Sequence, residues 1–221
     1  MKAKAYIFDM DGVITSSSRQ HYLAWKQMAR DEFNKDISIE VEDLVRGISR
    51  MDSLEIVLID IGITKEITNE KKVELATLKN QIYKNLISQF NETNLYEGTV
   101  ELLQQLKDKG MLIALGSASK NGTMLLKKMG IYDYFDYVVK PAQIPEGKGK
   151  PKPDIFLKAA EGLNMNPQDC IGVEDAYAGV TAVKSAGMFA IGIGTKEDLP
   201  HADIVYEEIG QIEIETIDQL L

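Results

Sequence analysis

Five short apolar runs, most of them closing on a small or charged residue, set the first limit on how this chain can fold: "AYIFD", "LIALGS", "YVVK", "CIGVED" and "FAIGIG". Each has the length of a buried strand, and helix-period stretches separate the later ones, so the pattern is βα alternation. Glycines punctuate the helices. Gly110 follows "ELLQQLKDK", Gly130 follows "TMLLKKM" and Gly187 follows "GVTAVKSA", each where a left-handed C-terminal cap belongs. Strands joined by crossover helices run parallel, which makes the fold class α/β. Open sheets of this kind bind ligands beyond the carboxyl ends of their strands, where this reading puts Asp9, Ser117 and the Glu174-Asp175 pair.

From about Ser18 to Phe90 the alternation stops. "HYLAWKQMARDEF", "SIEVEDLVRGI", "MDSLEIVLIDIG" and "NEKKVELATLKNQIYKNLISQF" all read as amphipathic helices, and no convincing strand lies among them. Tyr22, Trp25, Ala29 and Phe33 share one helical face and Leu54, Val57 and Leu58 another, enough for a small core belonging to the segment itself. The simplest organisation is an all-helical insert after the first strand. The one Gly/Pro/Lys-dense piece, "PAQIPEGKGKPKPD", reads as an active-site loop.

Composition narrows the partners. A net charge of -9 supplies no overall positive field for nucleic acid or an anionic membrane, so an anionic ligand must be captured locally. No apolar run approaches the roughly 20 residues needed to span a bilayer. "MKAKAYIFDMDG" has too few apolar residues before its charges for a signal-peptide core, and the single Cys170 cannot close an intramolecular disulfide. The expectation is a cytoplasmic protein.

"YIFDMDGVIT" places two aspartates just past an apolar run. A buried carboxylate is costly unless it is paired or coordinates a cation. One such acid is explained as well by a helix cap. Two pairs, Asp9/Asp11 and Glu174-Asp175, ask instead for a hard cation such as Mg²⁺ held together with a phosphate group. Residues 9 and 11 project the same way from an extended segment, so one can attack phosphorus while the other handles the proton of the departing or arriving oxygen. Attack on a phosphate dianion meets like-charge repulsion of about 4 kcal/mol per pair at about 4 Å and an effective dielectric near 20. Cations must offset it. Lys148, Lys150 and Lys152 alternate in "KGKPKP", and spacing alone does not choose among them.

These stretches resemble the haloacid dehalogenase-like phosphotransferases: "DMDGVIT" is similar to that family's first motif, "LGSAS" to the second, "KGKPKPD" to the third and "GVEDAYAG" to the fourth. Their order and spacing cover nearly the whole chain. The resemblance implies a Rossmann-like doubly wound parallel-sheet core, residues 1–17 and 91–221, with an inserted all-helical cap at 18–90. It implies Asp9 as the nucleophile that forms an aspartyl-phosphate and Asp11 as general acid/base. Mg²⁺ would be held by Asp9, the Asp11 carbonyl, Glu174 and Asp175. Ser117 would bind the transferring phosphoryl oxygens, and the lysine before the first proline, Lys150, would face them.

Within that family "SSSRQHYLAW", "VRGISRMDSL", "SASKNG" and "TLKNQIY" are similar to stretches of the branch that converts β-glucose 1-phosphate to glucose 6-phosphate through β-glucose 1,6-bisphosphate. That likeness puts His21 near Asp11 and substrate, with Trp25 on the same cap helix. It brings Gly47, Ile48 and Arg50 to the sugar phosphate from the cap, Arg50 as a bidentate phosphate grip. Ser119, Lys120 and Asn121 would hold the same group from the core, and Lys79 the sugar hydroxyls. Ser16, Ser17 and Arg46 depart from the branch, where aspartate, threonine and lysine are usual. The partners implied are a small-molecule sugar phosphate and no nucleic acid or membrane, with the chain a monomer. The alternatives are a phosphatase of the same family and a non-catalytic phosphate-binding regulator.

Overall fold

In the strand β1, Ala5–Phe8, all four side chains are buried, so it carries no polar face and reads as an unbroken apolar run, as strands covered on both sides do. The computed structural model describes residues 3–63 and 67–220. Five further strands, β2 (Leu112–Leu115), β3 (Tyr137–Val138), β4 (Cys170–Glu174), β5 (Phe189–Ile193) and β6 (Ile204–Tyr206), complete a sheet of order β3-β2-β1-β4-β5-β6. Every neighbouring pair is parallel. The five runs picked out in the sequence are the first five strands. β6 escaped that reading because it is an edge strand whose apolar run, "IVY", is only three residues long, half-exposed and flanked by acids.

The sheet is doubly wound. Successive crossovers carry the chain from β1 to β2 to β3 on one side and then to β4, β5 and β6 on the other, so the order reverses between β1 and β4. Phe8 pairs with Val173 there, which sets Asp9 and Glu174 side by side at the carboxyl end of the switch point. Gly110, Gly130 and Gly187 adopt φ of 72°, 72° and 75° past the helices α5 (Thr99–Asp108), α6 (Gly122–Lys128) and α8 (Tyr177–Ser185), as a left-handed cap requires.

Between β1 and α5 lie α1 (Ser18–Phe33), α2 (Val41–Leu44), α3 (Arg50–Asp60) and α4 (Asn69–Leu86). Ser49 and Thr68 start α3 and α4 by accepting the amides of Asp52 and Lys71. "SIEVEDLVRGI" is not the helix its pattern suggests. Only four residues are helical, Ile39 and Leu44 are exposed, and the chain turns at Gly47, whose φ is 74°. Tyr22, Trp25 and Ala29 are buried with Leu54, Val57 and Leu58, while Phe33 is only partly covered. Their cluster is continuous with Tyr6 and Phe8 of β1, so the insert shares the core of one sheet face instead of holding one apart. α7 (Asp154–Gly162) and α8 cover the other face. The segments into and out of the insert meet at an isolated antiparallel bridge between Thr15 and Leu95, where the Tyr96 amide donates to the Ile14 carbonyl at 3.0 Å and the Thr15 hydroxyl to the Asn94 carbonyl at 2.6 Å. Among the described residues no helix is long and apolar enough to cross a membrane.

Candidate active site

Asp9 follows β1 directly and is 2 % exposed, with its backbone amide bonded to the Val173 carbonyl of β4. Its carboxylate faces Lys150 at 2.6 Å, and the same ammonium bonds Glu174. Lys150 is buried, whereas Lys148 and Lys152 are exposed, so only one of the three alternating lysines reaches the carboxylates. Burial works against its charge, but Asp9 and Glu174 outweigh that and raise its pKa.

One oxygen from each of Asp9, Glu174 and Asp175 falls within 4.8 Å of the others. Glu174 is fixed by the amides of Asp175 and Ala176, at 3.0 and 3.2 Å. Asp175 is different: its Oδ1 is buried with no hydrogen-bond partner. Burial and then mutual repulsion hold Asp175 well above the usual carboxylate range, and Glu174 is raised by burial and Asp9 against the pull of Lys150. Three hard oxygen donors with one orphaned buried oxygen fit a divalent cation.

Two glycines make room for this cluster. A Cβ on Gly12, whose φ is 89°, would overlap the Asp175 carboxylate, and a Cβ on Gly179 would overlap that of Glu174. Gly12→Ala is therefore expected to displace Asp175 and weaken Mg²⁺ binding by at least about 10-fold, the scale seen when the groups that orient a metal's ligands are lost. Calorimetric titration checks this, and unchanged affinity would mean that Asp175 is not a ligand.

Asp11 receives the Ser17 hydroxyl on Oδ1 and faces His21 Nε2 at 3.7 Å through Oδ2. Burial, reinforced by the charge of Asp9 and only partly relieved by Ser17, Lys79 and Lys150, pushes its pKa up to about 6. Lys79 Nζ lies 2.6 Å from His21 Nδ1 and over the rings of Trp25 and Tyr83. Burial and then Lys79 and Arg50 hold His21 well below its ordinary pKa, so it is neutral. Burial, with Arg50, brings Lys79 down to about 7. A charged Lys79 donates to Nδ1, which leaves the His21 proton on Nε2, toward Asp11.

The cap and core also meet at Asn80. Its Oδ1 accepts from Arg50 Nη2 at 2.7 Å and from Asn121 Nδ2 at 3.0 Å, joining α3, α4 and the loop before α6. The surface pairings open to Arg50 are taken by other groups: Asp52 holds Ser49, and Glu55 pairs with Lys72 at 2.6 Å. Ser117 Oγ accepts the Ser119 amide, and Ser119 Oγ the Asn121 amide, so "SASKN" is a tight turn. Asp9, Asp11, His21, Trp25, Gly47, Ile48, Arg50, Lys79, Ser117, Ser119 and Lys120 all line one cavity of about 50 Å³ between insert and core. Asn80, which links two of the expected phosphate donors, was missed in the sequence, although it is the residue after Lys79 in the quoted "TLKN".

A paired-carboxylate site at the switch point of a doubly wound sheet, closed by a helical insert, is the setting in which the comparisons with known proteins fall. The model of the haloacid dehalogenase-like hydrolase family matches residues 3–187, and this chain belongs to that family. It is 41 % identical over 216 residues to the β-phosphoglucomutase of Bacillus subtilis, covering 98 % of this chain and 94 % of that one. The crystal structure of β-phosphoglucomutase from Clostridium difficile superimposes with a TM-score of 0.93 at 39 % identity, over 98 % of this chain and 96 % of that chain. A phosphorylated carbohydrates phosphatase of Thermotoga maritima is 28 % identical over 84 % of this chain and 82 % of its own length.

Proposed function

We propose that this chain is a β-phosphoglucomutase, an isomerase that interconverts β-glucose 1-phosphate and glucose 6-phosphate through a phospho-aspartate and β-glucose 1,6-bisphosphate. The observation that carries this reading is a second set of cations in the cavity that holds the nucleophile: Arg50, Lys79 and Lys120 line it together with Asp9, and Asn80 ties Arg50 to Asn121, which does not itself line the cavity. A hydrolase that transfers phosphate to water has no use for a grip on a second phosphate. A mutase needs one, because its intermediate carries phosphates at both ends.

In the forward direction the C6 hydroxyl of β-glucose 1-phosphate attacks the phosphorus on phospho-Asp9. Asp11 takes the hydroxyl proton as the bond from phosphorus to Asp9 breaks, leaving the bisphosphate and free Asp9. The intermediate then presents its C1 phosphate. Asp9 attacks that phosphorus, Asp11 returns its proton to the C1 oxygen, and glucose 6-phosphate leaves with Asp9 phosphorylated again. An Asp11 pKa of about 6 suits a group that must both take and give a proton near neutral pH. His21 and Ser17 hold Asp11 in place, Lys79 orients His21, and Lys150 and Ser117 face the transferring oxygens. Asp9, the Asp11 carbonyl, Glu174 and Asp175 would hold Mg²⁺, whose charge when bound offsets repulsion between the Asp9 carboxylate and the phosphoryl group. Residues 18–90 act as the cap over a core of 1–17 and 91–221, hinged where Thr15 meets Leu95. The enzyme works as a cytoplasmic monomer on a small sugar phosphate.

The test is to incubate the protein with Mg²⁺, a trace of β-glucose 1,6-bisphosphate and either anomer of glucose 1-phosphate, following glucose 6-phosphate against free phosphate. Glucose 6-phosphate from the β anomer, with little free phosphate, is expected. Stoichiometric free phosphate without glucose 6-phosphate would make the chain a phosphatase, and no turnover of either kind would make it a binding protein.

A further inference from the structure

The cap cavity is not the only opening onto the catalytic carboxylates. A larger groove of about 1150 Å³ adjoins it, sharing Ser18, Glu42, Arg46 and Ile48 as a common wall, and reaches Gly12 and Asp175. The two differ in their charges. Arg46, Arg50, Lys79 and Lys120 line the cap cavity and outnumber its carboxylates, Asp9, Asp11 and Glu42, as an anionic sugar phosphate requires. Glu97, Asp198, Glu207 and Glu208 line the groove, all four exposed and in no ion pair among the described residues. Glu42 and Asp43 line it too, but Arg19 and Arg46 neutralise them.

Acidic surface residues alone would be a solvated face. What sets this groove apart is its inner end. The Asp175 side chain there is 7 % exposed, and its Oδ1 is buried without any hydrogen-bond partner. The nearest cation, Arg46 Nη1, stays 3.9 Å from the other oxygen and binds Asp43 more closely, at 2.9 Å. The groove therefore runs from four unpaired carboxylates to an unsatisfied buried one. Clefts lined by one sign of charge focus the field and raise the local concentration of the opposite ion.

We propose that this groove is a separate route for the divalent cation: Glu97, Asp198, Glu207 and Glu208 gather it and pass it to Asp175, while the sugar phosphate comes through the cap cavity. The inference rests on Asp9, Glu174 and Asp175 being the metal ligands. Its physical content is kinetic. Mg²⁺ sheds its bound waters reluctantly, so capture depends on how often a hydrated ion is already waiting at the ligands, and that population is what the groove raises. An anion and a cation arriving by one passage would each be repelled by the lining that draws the other.

Stopped-flow mixing of the full-length protein with Mg²⁺, read by a fluorescent indicator of the free ion, gives association and dissociation rates without reference to turnover. The combined Glu97→Gln, Glu207→Gln and Glu208→Gln variant is expected to bind Mg²⁺ about 10-fold more slowly at low salt, with dissociation unchanged and a flatter dependence on ionic strength. A control with Glu70→Gln, Glu101→Gln and Glu161→Gln makes the same change in net charge outside the groove and should keep the wild-type rate. Equal association rates in the groove variant and wild type, or equal slowing in both variants, would overturn the route while leaving the ligands standing. Absence of saturable Mg²⁺ uptake by the wild type would overturn the ligand assignment and the route with it.

Discussion

Asp9→Asn is expected to form no phosphoprotein, whereas Asp11→Asn should still bind Mg²⁺ and sugar phosphate yet turn over at least about 10²-fold more slowly, the usual scale for a general acid/base. The two residues sit two apart but in different surroundings. Asp9 is gripped by Lys150 and lies beside Glu174, so an amide there removes the attacking oxygen and half of the charge around Lys150. On the proposed mechanism Asp11 would contribute its side chain to the proton and only its backbone carbonyl to the metal, and an asparagine keeps the carbonyl. Its contacts with Ser17 and His21 can persist with an amide oxygen in the same place. Rapid quench after mixing with the bisphosphate separates the cases. Stable phosphoprotein in Asp9→Asn would rule out Asp9 as the nucleophile, and wild-type turnover in Asp11→Asn would remove Asp11 from proton transfer.

Arg50→Ala is expected to lower mutase turnover by orders of magnitude while leaving hydrolysis of acetyl phosphate within a few-fold of wild type. Arg50 touches none of the carboxylates at the switch point. Its guanidinium lines the cavity that Asp9 also lines and meets Asn80 and, through it, Asn121. On the mutase reading, energy gained there from a distal phosphate would keep the cap shut on a substrate that has two ends, and a reagent with one phosphate would never make the contact. Parallel assays of the two reactions check it. Equal losses in both would place Arg50 in the chemistry common to them, and no loss in either would leave it only its hydrogen bond to Asn80, a contact between two cap helices. Both outcomes would favour the phosphatase.

Much of the sheet was legible because parallel strands buried on both faces must be continuous apolar runs, and β1, β2, β4 and β5 are. The acids at their ends were legible because a carboxylate in such a place demands a reason. β6 was not, since a half-exposed edge strand needs no more than the three apolar residues of "IVY", too few to stand out, nor was the true extent of α2, where helical periodicity in "SIEVEDLVRGI" continues through residues that the fold leaves in water. Periodicity records which faces a segment could bury and says nothing of whether anything covers them. At the site, spacing left three lysines equal, and burial distinguishes Lys150. The space that Gly12 and Gly179 leave for Asp175 and Glu174 was invisible for another reason: it arises between residues far apart in the chain, and an absent side chain has no pattern.

The cavity of about 50 Å³ between cap and core divides a turnover in time. It has room for a few waters, which need about 10–15 Å³ each by this measure, but is far below the about 300 Å³ at which pockets for small organic ligands begin. A hexose carrying two phosphates cannot turn end over end in it. On the mutase reading, exchange of one phosphate for the other therefore belongs to the open cap, with the intermediate in contact with solvent and free to escape. Each escape leaves an enzyme with a bare Asp9 that is idle until another bisphosphate finds it. Progress curves begun without bisphosphate should then show a lag, and the steady rate should depend on the pool of intermediate in solution as well as on the substrate, so that a population of these molecules shares its phosphoryl groups through the surrounding water.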